Sequence, residues 1–150
     1  MKEKSIYVLT ISEFFPSTHV KAGLSTDFVN AISKLIKIHT IRSNYELWKK
    51  RADKINNGEA ILSVRCWTGK PYQSKQREVF SFEKIGVEKL QRDNLLGWFI
   101  DDVDSDYTTK DFAKNDGLSV EDFKEWFKGK NFNEPKAIIH FTNFRYAVNY

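Results

Sequence analysis

The sequence has little cysteine, proline or glycine. Of 150 residues, one is Cys, three are Pro and seven are Gly. Because Cys66 has no partner, no disulfide can form within the chain, which is usual in a reducing compartment. The prolines are scattered and no Pro/Gly-rich linker divides the chain. We therefore expect a single domain over residues 1–150.

Long apolar runs are also missing. No stretch approaches the roughly 20 apolar residues of a membrane span. The run that follows "MKEK" ends at Glu13, which is too short to be typical of a signal peptide. We expect a soluble cytoplasmic protein with no membrane association.

Recognisable metal and catalytic signatures are absent too. The three histidines, His19, His39 and His140, are not spaced as paired ligands, and Cys66 lacks a second cysteine, so a zinc site is not predicted. The acidic stretch "DDVDSDYTTKD" lacks the central Gly and closing Glu of a calcium loop. There is no Gly-rich phosphate loop and no Ser/His/Asp signature. We predict no metal and no cofactor.

Aromatic and basic residues are plentiful instead. Aromatic residues make up 15% of the chain, the net charge is +4 and the pI is near 9.1. This balance favours anionic partners such as nucleic acids or nucleotides. A small lysine excess also serves solubility alone, so composition leaves both interpretations open.

The hydrophobic pattern predicts a mixture of strands and few helices. We expect strands at 5–11, 39–43, 59–67, 76–85 and 136–146, and helices at 25–36, 44–59 and 118–130. The helices are too sparse for a repeated strand–helix–strand series. The predicted fold class is α+β, a small mixed or antiparallel β-barrel with helices at its rim.

One candidate binding segment is "RCWTGKPYQSKQR". It carries basic residues with no acid between them, together with two aromatic rings. Cations for phosphates and rings for stacked bases are what a nucleic-acid groove needs. The candidate binding residues are Arg65, Trp67, Lys70, Tyr72 and Lys75. A solvated hairpin loop with an anchored Trp would give the same pattern, and both interpretations stay open.

A second candidate is "KIHTIR". Since side chains alternate along a strand, Thr40 and Arg42 share one face, and Lys37 can meet Thr40 only from the turn before the strand. A neutral lysine that takes the proton of a hydroxyl produces a nucleophile. Burial or a neighbouring cation must lower the lysine pKa for this, and Arg42 could be that cation.

These residues resemble the ASCH family of the PUA-like superfamily. The resemblance rests on Lys37-x-x-Thr40-x-Arg42 after a helix, on Gly58-Glu59 where the family usually has Gly-Asp, and on "FAKNDGLSVEDFKEWF" before the closing strand. It implies a PUA-like barrel with a cleft lined by the Lys-x-x-Thr-x-Arg strand, and a link to RNA binding. One small bacterial branch of the family removes the acetyl group from acetylcytidine.

The resemblance also implies roles for individual residues. In the hydrolase branch, Lys37 would activate Thr40, which would attack the amide carbonyl. Asp116 aligns with a family Glu and would serve as the acid, and this chain is longer than the minimal enzymes.

Three functions of the protein stay open. The first is binding of RNA or a modified nucleoside, with Arg42 as a ligand contact. The second is an amidohydrolase, and the third is a motif that only holds the barrel together. The oligomeric state is not predicted.

Overall fold

The computed structural model describes residues 3–147. In chain order the elements are β1 (Ser5–Thr10), α1 (Phe28–Ser33), β2 (His39–Arg42), α2 (Tyr45–Asn56), β3 (Ala60–Trp67), β4 (Gln76–Phe82), β5 (Gly86–Asp93), β6 (Gly97–Ile100), β7 (Val103–Asp104), α3 (Thr109–Asn115), α4 (Val120–Trp126) and β8 (Lys136–His140).

The strands form two sheets. The first has the order β1-β3-β4, in which β1 and β3 are parallel; the second has the order β2-β8-β5-β6-β7 and is antiparallel throughout. The predicted α+β class is confirmed. Within residues 3–147 the strand pairing closes no barrel, so the finer prediction of a PUA-like barrel is not confirmed.

Helix ends follow the capping residues in the sequence. The Asn44 side chain accepts the backbone N–H of Leu47 to begin α2, and Ser119 accepts that of Asp122 to begin α4. The first helix is shorter than the predicted 25–36. It ends at Ser33 because Leu35 takes a left-handed conformation (φ 60°) and turns out to solvent, where it is 69% exposed.

Residues 86–117 contain elements that the pattern did not predict. The strands β5 and β6 form a hairpin, and α3 follows the short strand β7. The acidic stretch is exposed around Asp101 and Asp102, and its end belongs to α3. Thr108 and Asp111 begin that helix as in a capping box: the Asp111 carboxylate accepts both the backbone N–H and the hydroxyl of Thr108.

Two apolar clusters make up the core. One packs α1 and α2 against β3, and the other packs α3 and α4 against β5, β6 and β8. Strand β8 contributes to both, since alternate residues along it point to opposite faces: Ile139 lies in the first cluster and Ile138 in the second. In the described part of the chain, no helix is both long and apolar enough to cross a membrane.

Candidate active site

A cavity of about 90 Å³ lies where β2 meets the loop after α3. Its polar lining consists of Ser12, Lys37, Thr40, Arg42 and Asp116, and aromatic residues, Phe28 and Trp126 among them, also line it. The three candidate catalytic residues and the candidate ligand contact Arg42 therefore border one space.

The lysine reaches this cavity from the turn between α1 and β2. Both Ile36 and Lys37 donate their backbone N–H groups to the Ala31 carbonyl, which closes the helix. Next, Ile38 donates to the Asn115 carbonyl at the end of α3 (2.8 Å). The turn thus fixes Lys37 close to Asp116, although 79 residues separate them in the chain.

Lys37 and Asp116 form a buried ion pair. The Lys37 Nζ lies 2.7 Å from Oδ1 of Asp116 and 2.9 Å from its backbone carbonyl oxygen. Lys37 is only 2% exposed and Asp116 only 4%. The ammonium also stands 4.2 Å from the centre of the Phe28 ring, which adds a cation–π contact. Breaking such a pair leaves an uncompensated charge in the interior.

Burial is the main influence on the charge of the lysine. It lowers the pKa of Lys37 below the usual 10.5, with a smaller contribution in the same direction from Arg42, while the carboxylate of Asp116 opposes the shift. For Asp116, burial would raise the pKa, but the positive charge of Lys37 and hydrogen bonding outweigh it and hold the pKa below 3.8. Asp116 is therefore ionised at neutral pH.

Gly117 makes room for this pair. It follows Asp116 with φ 76°, a conformation that glycine adopts freely and that side chains rarely adopt. A Cβ at this position would lie 3.0 Å from the Cβ of Lys37. The lysine stem therefore packs directly on the backbone of the turn.

A buried chain of hydrogen-bonding groups leads away from Asp116. Its Oδ1 lies 3.5 Å from Nδ1 of His39, and Nε2 of His39 lies 2.6 Å from Oη of Tyr146. The Tyr146 hydroxyl accepts from Nδ2 of Asn115 at 2.9 Å, so its own proton is available for His39 Nε2. That arrangement leaves the His39 proton on Nδ1, a buried atom that lies 3.5 Å from Asp116 Oδ1 and makes no hydrogen bond within residues 3–147. The spacing of His39 in the sequence did not predict this contact.

The second buried histidine has its own carboxylate. His140 Nε2 lies 2.7 Å from Oε1 of Glu88, which also accepts the backbone N–H of Tyr146, while Oε2 accepts that of Ala147. Burial lowers the pKa of His39 and of His140, and each is neutral at pH 7. Glu88 thereby anchors the segment that carries the Tyr146 hydroxyl.

Thr40 and Arg42 occupy the β2 side of the cavity. Thr40 is 6% exposed, and within residues 3–147 its hydroxyl makes no hydrogen bond. Arg42 is half-buried, and its Nη2 donates to the Thr10 carbonyl at 2.6 Å. The guanidinium is thus tied to β1, on the border of the cavity that Thr40 also lines.

The hairpin residues lie elsewhere. Arg65 donates from Nε to the Ser63 hydroxyl, and the rings of Trp67 and Tyr72 pack against each other at 5.2 Å. Lys70, Tyr72 and Lys75 are in the exposed loop between β3 and β4, and Tyr72 is 89% exposed. None of the five candidate hairpin residues lines the cavity of Lys37.

Within the described range, no group of three or more His, Cys, Asp or Glu side chains is arranged to hold a metal ion. No protein-family model matches the chain, and neither the curated proteins nor the solved structures contain a match to it.

Proposed function

We propose that the protein is an amidohydrolase that removes an acyl group from the exocyclic amine of a cytidine-type nucleoside. The observation that carries the proposal is the convergence of Lys37, Thr40, Arg42 and Asp116 on one cavity. A threonine hydroxyl that lines the same cavity as a buried lysine whose pKa is lowered supports a lysine-activated nucleophile. A PUA-like barrel remains part of this proposal.

The reaction begins at Thr40. The neutral Lys37 amine takes the proton of the hydroxyl while Oγ1 bonds to the amide carbonyl carbon. The carbon–nitrogen bond then breaks, and the leaving amine takes the proton from Lys37. Water attacks the resulting threonine ester with Lys37 again as the base, which releases the carboxylic acid and restores Thr40. Arg42 stabilises the charge that develops on the carbonyl oxygen.

Asp116 has a different part in this scheme from the acid that the resemblance implies. Because the pKa of Asp116 is held below its ordinary value, the carboxylate carries no proton to donate at neutral pH. We therefore assign the donor role to protonated Lys37. Asp116 holds the lysine nitrogen in place and stabilises its charged form, as the aspartate does for histidine in a Ser-His-Asp triad.

The cavity volume limits what enters it. A volume of about 90 Å³ is well below the roughly 300–1,000 Å³ of sites that enclose a whole drug-sized ligand. It has room for an acyl group and its carbonyl. The nucleoside would then lie at the mouth, on the side of the half-buried Trp126.

A second candidate function is RNA binding without chemistry. Arg42 donates to the carbonyl of Thr10, and Thr10 is paired in register with Arg65 at the base of the basic hairpin. A strand of RNA with one base at the cavity would therefore have the hairpin cations nearby. Loss of Arg65, Lys70 and Lys75 together should then weaken single-stranded RNA binding and reduce its salt dependence.

The test is turnover of N4-acetylcytidine, followed by release of cytidine. Thr40→Val keeps the side-chain shape without the hydroxyl, and we expect it to lose at least about 10³-fold in kcat/KM. Thr40→Ser retains a hydroxyl and is the matched control. The rate of the unaltered protein should rise with pH as Lys37 loses its proton. Equal turnover by Thr40→Val and the unaltered protein would refute the mechanism.

A further inference from the structure

A larger cavity of about 290 Å³ lies beside α4, next to the candidate active site. Phe127, at the end of α4, lines both cavities. The floor of the larger cavity is aromatic. Trp98 and Phe123 are buried there, and the half-buried rings of Phe127 and Phe132 pack edge to face with their centres 5.4 Å apart.

The rim of this cavity is positively charged. Arg92 comes from β5, Lys124 from α4 and Lys130 from the turn after it, and all three are exposed. Among the described residues, no Asp or Glu lines the cavity. Within residues 3–147, none of the three cations is in a salt bridge. The Arg92 guanidinium is held 5.1 Å from the centre of the Trp98 ring, which fixes it at the edge of the floor.

Amide side chains complete the lining. Asn131 accepts the Asn133 backbone N–H through Oδ1, which fixes the side chain and leaves its NH₂ group for a ligand. The side chain of Asn94 also borders the cavity. Amides supply both donors and acceptors, as the edge of a nucleobase requires, whereas cations match phosphate oxygens.

We propose that this cavity binds one phosphate-bearing nucleotide. Its base would lie against the aromatic floor and its phosphate would meet Arg92, Lys124 and Lys130. Stacking on aromatic side chains with cations on the backbone is the general mode for single-stranded nucleic acid. The choice of a nucleotide over another phosphorylated ring rests on the proposed function, since Phe127 joins this cavity to the one assigned to the acylated nucleoside.

The first experiment uses cytidine 5′-monophosphate and cytidine as calorimetric probes. The cavity variant is Arg92→Gln/Lys124→Gln/Lys130→Gln. The control, Lys34→Gln/Lys50→Gln/Lys84→Gln, removes the same charge from exposed lysines outside the cavity. We expect the cavity variant to bind the monophosphate at least about tenfold more weakly, and the control to change it by less than about twofold. Cytidine should bind more weakly than the monophosphate.

The second arm separates a free nucleotide from RNA. A fluorescein-labelled single-stranded cytidine decamer is titrated by anisotropy at several salt concentrations. If the decamer binds and the monophosphate does not, the nucleotide that the cavity takes is part of an RNA strand. The plot of log binding constant against log salt concentration should then be shallower for the cavity variant, by about 0.7 per lost phosphate contact. Asn131→Asp, which retains the acceptor for Asn133, adds a negative charge at the rim and should weaken binding of either probe.

The proposal is overturned if neither probe binds, or if the cavity and control variants lose affinity equally. Turnover of N4-acetylcytidine is measured on the same variants as a separate readout. That nucleoside has no phosphate, and the three cations are not part of the proposed catalytic set, so turnover in the cavity variant should be unchanged. Absence of turnover with nucleotide binding intact would refute the amidohydrolase and leave the nucleotide site standing.

Discussion

The buried pair of Lys37 and Asp116 predicts strong coupling between two substitutions. Lys37→Met removes the ammonium and leaves an ionised carboxylate that is 4% exposed, with the His39 Nδ1 3.5 Å away. Breaking a buried ion pair from one side costs about 3–5 kcal/mol of unfolding free energy. For a chain of this size that is a fall of about 6–20 °C in Tm.

The second substitution, Asp116→Asn, should cost less. The asparagine oxygen and the backbone carbonyl 2.9 Å from Nζ can both still accept from Lys37, so we expect a loss of about 1.5–3 kcal/mol. In the double variant neither charge is left unpaired. Its loss should be smaller than the sum of the two single losses, by about 1–3 kcal/mol.

The assay is urea unfolding at pH 7 and 25 °C, with all four proteins compared at a common m value. A carboxyl titration by NMR adds a check. In Lys37→Met, the pKa of Asp116 should rise, because burial raises it and the largest opposing charge is gone. If the double variant loses the sum of the two single losses to within about 0.5 kcal/mol, the two groups do not interact and the reasoning is refuted.

Three further predictions concern the groups around this pair. Tyr146→Phe removes the hydroxyl that meets His39 and should cost about 1–3 kcal/mol by urea unfolding; an unchanged midpoint would contradict the buried chain. Burial holds the pKa of His39 and of His140 below 6.5, so as the pH falls these histidines are protonated in the unfolded chain before they are protonated in the folded protein. The free energy of unfolding should therefore fall as the pH drops below 6.5. A urea midpoint that does not change below pH 6.5 would contradict this prediction. Gly117→Ala should cost at least about 1–2 kcal/mol from its positive φ and its contact with Lys37, by thermal unfolding.

Strand alternation and the resemblance together indicated most of the candidate site. The spacing of Thr40 and Arg42 required a common face, and the same argument required Lys37 to come from the turn, where it lies. Only the resemblance indicated that Asp116 belongs to the candidate site. Nothing local in the sequence marks His39 as its neighbour, because that contact depends on the register of β2 against β8 and on Tyr146, 107 residues further along the chain.

The fold was predicted well where the pattern was long and periodic. The strands β1, β3, β4 and β8 and the helices α2 and α4 were all expected, with errors at their ends. The hairpin of β5 and β6 was missed because Leu95 and Leu96, at its tip, are apolar, although they are 94% and 68% exposed. The helix α3 has seven residues, too few to show a helical period beside four nearby aspartates.

The contacts that shape the cavity join parts of the chain that are far apart in sequence. Lys37 and Asp116 are 79 residues apart, and His39 and His140 face each other across β2 and β8. Such pairings form slowly, since the loops between them must close before any contact offsets the lost chain entropy. We therefore expect the groups proposed as catalytic to reach their final positions only when β8 has docked beside β2. Recovery of the proposed activity during refolding would then report the completion of the sheet rather than the formation of any single helix or hairpin.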